Sequence, residues 1–201
     1  YDEDGTYFLG SLNSLNNKQT LDLTTSVIKS DRIIIELTVP INEIKDVKLK
    51  IGSIIHDYTD INNFYQISDG NREDCNINVI CDEGNDWRDQ IDGVIRVTMG
   101  GGLCSASIIN NTNFDRTPYV LFADHCVSGG ASGYVFDFNY QSETCNGTSG
   151  PLNQSISGSQ VLAQQDLNSG PDFALLLMTS NIPDSYNPFY VGWSRSSSAP
   201  Q

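Results

Sequence analysis

Short runs of β-branched and aromatic residues, each closed by Gly, Ser and Asn roughly every 8 to 15 residues, most tightly limit how this chain folds. The runs lack the 3.6-residue apolar stripe of an amphipathic helix. Their residues suit a pleated, half-buried surface instead. Strands are predicted over 32–39, 47–55, 93–98, 105–110, 119–123, 133–140, 159–165 and 173–178. The expected fold is therefore all-β, a sandwich or a barrel, and 201 residues suffice for one domain or two small ones.

The chain changes character near residue 70. All five lysines (Lys18, Lys29, Lys45, Lys48 and Lys50) precede that point, and no cysteine does. Arg32-Ile33-Ile34-Ile35-Glu36-Leu37-Thr38-Val39 runs into Pro40 as a central strand stopped by proline would, with Leu49-Lys50-Ile51 as its expected neighbour. Residues 1–70 read as a small β-sandwich-like module or a pro-region, and residues 71–201 as the main domain. The turn-rich Ser68-Asp69-Gly70-Asn71 joins them and offers a processing point. The abrupt Tyr1 reads as a processed or trimmed start.

A formal net charge of −14 leaves no basic patch for neutralising phosphates, which argues against nucleic acid as a partner. No run approaches about 18 consecutive apolar residues, so no membrane-spanning segment is expected. The five cysteines, Cys75, Cys81, Cys104, Cys126 and Cys145, include no C-x-x-C pair and have only His125 near them. That disfavours zinc and favours a disulfide framework in an oxidising, secreted setting. The odd cysteine wants a partner elsewhere. Asp82, Glu83, Asp86 and Asp89 lack EF-hand spacing and read as a solvated acidic loop rather than a calcium site. No metal and no cofactor is expected.

The chemistry-bearing pattern is Ala123-Asp124-His125-Cys126 at the end of the apolar run Tyr119-Val120-Leu121-Phe122. Further on, Asp172 leads into Phe173-Ala174-Leu175-Leu176-Leu177. A serine hydroxyl needs an adjacent base, imidazole titrates near neutrality, and an acceptor on its second nitrogen fixes the tautomer. His125 is the expected general base and Asp172 its orienter. Asp124 should point elsewhere. Ser132, in Gly130-Ala131-Ser132-Gly133, comes too early for His…Asp…Ser order, and the serines after Asp172 lack a Gly-x-Ser-Gly setting. Cys126 makes a poor nucleophile, because a base on the adjacent residue points away from it. The nucleophile is expected beyond these residues.

Six segments in this order resemble the bacterial lysyl endopeptidase group of secreted trypsin-like serine peptidases. They are Cys75-Asn76-Ile77-Asn78-Val79-Ile80-Cys81, Cys104-Ser105-Ala106-Ser107-Ile108-Ile109, and Thr117-Pro118-Tyr119 running into His125-Cys126. Asn139-Tyr140-Gln141-Ser142-Glu143-Thr144-Cys145, Asp172-Phe173-Ala174-Leu175-Leu176 and Val191-Gly192-Trp193 follow. The resemblance implies the N-terminal barrel of a chymotrypsin-like double β-barrel, truncated before its serine. It further implies Cys104–Cys126 and Cys81–Cys145 disulfides, with Cys75 bonded to a C-terminal fragment. Protein or peptide substrates with basic residues, lysine above all, follow from it too. Phe122 stands where the group usually has threonine, and Asp124 where it usually has a small neutral residue. This chain alone is expected to be inactive. The competing readings are a catalytically inactive protease-like binding module and a disulfide-rich β-sandwich for adhesion or carbohydrate binding.

Overall fold

Alternation between inward apolar and outward residues builds the sheet strand by strand. In β1 (Val94–Met99), Ile95, Val97 and Met99 are buried while Val94 is exposed, the period of two that faces one side of a pleat to a core. The computed structural model describes residues 1–2, 23–28, 30–56, 77–100, 102–147, 149–196 and 198. After one short helix, α1 (Arg88–Asp92), β1 is followed by β2 (Gly102–Ile109), β3 (Tyr119–Phe122) and β4 (Val135–Asp137). Then come β5 (Ser155–Ser157), β6 (Ser159–Gln165) and β7 (Phe173–Met178). All pair antiparallel in the order β5-β4-β1-β2-β3-β7-β6.

The two terminal strands of that order meet at Gly158. Its N–H donates to the Tyr134 carbonyl ahead of β4 (2.7 Å), and its own carbonyl accepts from the Thr179 N–H just past β7 (3.0 Å). Strands β5 and β6 are thus two parts of one bent strand, and the sheet curls round to meet itself. The bend takes φ to 88°, which glycine adopts without penalty. Inside, Val97, Ile108, Val120, Phe136, Ala174 and Leu176 are fully buried and Phe138, Tyr134 and Met178 nearly so. Each large apolar side chain so buried contributes roughly 1.5–3 kcal/mol.

The all-β expectation holds in the main domain, with instructive differences. The expected strand over 133–140 shortens to Val135–Asp137, because Ala131–Gly133 is a 3-10 turn and Asn139 is left-handed at φ 51°. Residues 32–39 and 47–55 form no strand: they run as irregular chain with Ile35, Leu37, Leu49, Ile51, Ile54 and Ile55 exposed. An isolated bridge between Asp2 and Ile33 is the ladder contact found there among the described residues. A run of β-formers becomes a strand only where a neighbour pairs along it, and the described pairing is confined to Tyr1 and Asp2 against Ile33 and Ile34.

A buried ion pair lies outside the barrel core. Arg96 on β1 and Asp137 on β4 are register partners, with Nε and Oδ2 3.5 Å apart and the Arg96 guanidinium 4.4 Å over the Tyr140 ring. Burial raises the Asp137 carboxyl to about 6, although Arg96 pulls it down. The folded state therefore binds this proton more tightly than the unfolded chain. Its contribution is largest below about pH 4 and is lost as pH rises to about 6, by roughly 2–3 kcal/mol. The measurement is the pH dependence of urea unfolding in wild type minus that in Asp137→Asn. A difference flat between those pH values would refute it.

Candidate active site

Antiparallel pairing of β3 with β7 brings the two halves of the site together. Phe122, last in β3, is opposite Ala174, second in β7. Residues just past the end of β3 therefore face residues just before the start of β7. His125 is three past Phe122 and Asp172 two before Ala174, so an imidazole and a carboxylate meet at one rim of the barrel.

His125 rides on a single 3-10 turn, Asp124–Cys126, closed by the Cys126 N–H on the Ala123 carbonyl (3.2 Å) and the Val127 N–H on the Asp124 carbonyl (2.7 Å). The turn is fastened beneath by a disulfide from buried Cys126 to Cys104 on β2. A second disulfide joins Cys81 to Cys145, and Cys75 lies outside the described residues. Closing the loop of the first contributes about 3 kcal/mol in the chain-entropy account. Its disulfide also removes Cys126 from consideration as a thiolate nucleophile.

Both oxygens of Asp172 are committed to His125. The His125 backbone N–H donates to Oδ1 (2.9 Å), and Nδ1 is 2.7 Å from Oδ2. These bonds, the imidazole's first and the backbone's next, hold the Asp172 carboxyl below the usual carboxylate range, aided by the Asp124 backbone N–H. An ionised carboxylate only accepts, so Nδ1 carries the proton and Nε2 is left as the basic nitrogen. With the imidazole 63% exposed, Nε2 is open to an incoming hydroxyl. Asp124 does not pair with the ring; its Oδ1 is buried without a hydrogen-bond partner among the described residues.

Asp172 itself is left-handed, φ 51°, a conformation unusual for a non-glycine residue and one the surroundings must impose. The loop ahead of it is closed on itself by hydrogen bonds. Asp166 Oδ1 accepts from the Asn168 and Ser169 N–H groups (2.8 and 3.1 Å), and its Oδ2 accepts from the Ser169 hydroxyl (2.7 Å). The Gly170 N–H returns to the Asp166 carbonyl (2.9 Å), and Gln165 Nε2 donates to the Ser169 carbonyl (2.9 Å). Strand-and-turn reasoning overlooked Asp166, yet Asp166-Leu167-Asn168-Ser169-Gly170 carries the mark of an Asx turn. Asp166→Ala is expected to broaden or abolish the low-field Nδ1 proton resonance of His125 while the melting temperature barely moves. An unchanged resonance would remove Asp166 from this role.

Among the described residues no serine completes the pair. Ser132 lies in the turn Ala131–Gly133, and His125 makes no hydrogen bond to any serine among the described residues. Also among the described residues, no group of three or more His, Cys, Asp or Glu is placed to hold a metal ion, Asp82, Glu83, Asp86 and Asp89 included. No helix there is long and apolar enough to cross a membrane.

The family model described as lysyl endopeptidase, C-terminal domain, matches residues 69–201. Among solved structures, the chain is similar to the scabies mite inactivated protease paralogue S-I1, at 19% identity and a TM-score of 0.32. That similarity covers 47% of this chain and 41% of the other, so less than half of that protein's length is spanned.

Proposed function

The chain belongs to the lysyl endopeptidase C-terminal domain family, and from that premise we propose that it supplies the base and orienter of a secreted serine endopeptidase cleaving after basic residues, lysine first. The observation that carries this is the 2.7 Å contact of His125 Nδ1 with an Asp172 whose other oxygen is held by the His125 backbone. In the proposed reaction His125 Nε2 takes the proton of a serine hydroxyl from outside these 201 residues, as that oxygen attacks the scissile carbonyl carbon. The imidazolium then protonates the leaving amine nitrogen and the C–N bond breaks. Water, deprotonated by the same nitrogen, attacks the acyl carbon; the bond from that carbon to the serine oxygen breaks, and the imidazolium returns its proton to the serine. Asp172 keeps the ring in the productive tautomer throughout and stabilises its charge.

The two disulfides fit an oxidising, extracellular setting. Cys75 would bond a cysteine of the serine-bearing part, and residues 1–70 would precede the peptidase domain as a separate region. A fluorophosphonate probe with a reduced intact-mass spectrum tests the assignment. Label on a second polypeptide, freed from this one by reduction, supports a peptidase joined through Cys75. Enzyme preparations that contain both parts yet take no label would leave a binding module in its place.

A further inference from the structure

Among the described residues, two carboxylates bury an oxygen that takes no hydrogen bond, Asp137 at Oδ2 and Asp124 at Oδ1. The first has the Arg96 guanidinium beside it, with Nε 3.5 Å away. No described cation forms an ion pair with the second. Arg88 is held by Asn85 and the Cys81 carbonyl, and Arg116 by Asp184, so their donors are engaged elsewhere. A buried acceptor left in this way is unfavourable and rare enough to want a reason.

An acid that opens a helical turn ordinarily serves the turn's own free N–H groups. Asp124 opens the 3-10 turn Asp124–Cys126, yet its Oδ1 takes no bond from it. Its backbone is used in full. The N–H supports the Asp172 carboxylate, and the carbonyl accepts from the Val127 N–H at 2.7 Å. The turn therefore carries a second acid close to the first, with its side chain unanswered. The place of Asp124 says where a donor would come from. In the proposed reaction His125 Nε2 must come within about 3 Å of a serine hydroxyl. The serine-bearing part then lies against the rim that carries Asp124, whose Cα is about 3.8 Å from that of His125. Asp124 as a whole is half-buried, and the terminal torsion of an aspartate is broad, so a small rotation turns Oδ1 toward that rim.

We infer that Asp124 is a positioning residue, whose side chain accepts a hydrogen bond from an N–H or O–H group of the serine-bearing part when the two parts meet. This rests on the proposed serine peptidase function and adds a second acid to it, with a different task. Asp172 sets the tautomer and the orientation of the ring. Asp124 ties the turn that carries the ring to the part that brings the serine, so that Nε2 and the hydroxyl stay in register. Registers of this kind matter, because a displacement of about 1 Å can cost about 10²-fold in rate.

The test places one substitution in two settings. In the 201-residue chain alone, Asp124→Ala removes an unsatisfied acceptor, so the melting temperature should rise by about 2–4 °C. In the enzyme carrying its serine the same change removes a hydrogen bond. There the melting temperature should fall by a similar amount, and kcat on a lysyl ester should drop roughly tenfold or more with KM little changed. The low-field Nδ1 proton resonance of His125 should persist in both settings, since Asp172 is intact. Asp124→Asn keeps one acceptor of the same shape and should retain at least about a third of the wild-type kcat. Melting shifts of the same sign in the two settings, or a kcat for Asp124→Ala within about twofold of wild type, overturn the inference and leave the peptidase function standing. Asp124→Asn no better than Asp124→Ala would trace the loss to disturbed packing of the turn and overturns it too. A wild-type enzyme that hydrolyses no lysyl ester overturns both.

Discussion

Replacing His125 with alanine is expected to lower kcat of the enzyme carrying its serine by about 10⁵- to 10⁶-fold, with KM little changed. The size follows from what the imidazole does. It accepts the serine proton and returns it to the leaving amine, so without it the hydroxyl must attack at its own weak basicity. Binding and stabilisation of the oxyanion remain and set the residual rate. The fold should not suffer, because the ring is 63% exposed and, among the described residues, its side-chain partner is Asp172. Steady-state kinetics on a lysyl ester, alongside circular dichroism of the variant, reads both effects. Turnover within tenfold of wild type would show that His125 is not the base.

The strands that sequence reading located best are those with both an apolar face and clear punctuation. Ser159–Gln165 and Phe173–Met178 form over the predicted residues, and Tyr119–Phe122 stops one residue short of prediction. Strand β5 was missed because its three residues, Ser155, Ile156 and Ser157, hold one apolar side chain within a loop-like composition. Its pairing comes from β4 across the sheet, which local pattern does not contain. Residues 32–39 fail in the opposite sense, with strong β propensity but a described pairing confined to one bridge at Ile33. The meeting of His125 and Asp172 was legible because a rare histidine beside a cysteine ends one apolar run and an acid opens another. What fixes their geometry was legible only in part. The Asp166 turn carries an Asx signature in its sequence, whereas the left-handed backbone of Asp172 and its bond from the His125 N–H involve backbone groups, which carry no residue identity.

Asp172→Asn should cost about 10⁴-fold in kcat, although the substitution is nearly isosteric. An asparagine side chain offers one acceptor and one donor where the carboxylate offers two acceptors. In the wild type both oxygens accept, Oδ1 from the His125 backbone at 2.9 Å and Oδ2 from Nδ1–H at 2.7 Å. The amide can satisfy one of these only by turning its NH₂ toward the other. If its oxygen keeps the backbone N–H, its NH₂ faces Nδ1, which must then give up its proton and accept. The proton moves to Nε2, and the nitrogen that should receive the serine proton is already occupied. The low-field Nδ1 proton resonance should vanish in the variant, in this chain as well as in the complete enzyme. In wild type that resonance should persist into mildly acidic solution, because hydrogen bonds from the His125 side chain and backbone hold the Asp172 carboxyl below its usual range. The same lowering means that Asp172 stabilises the fold above the carboxylate range, and that this contribution is lost as pH falls through its lowered folded-state value. A variant that keeps both the resonance and the rate would place the orienting carboxylate elsewhere. Loss of the resonance with the rate unchanged would mean that the pair is structural and that catalysis, if any, uses another base.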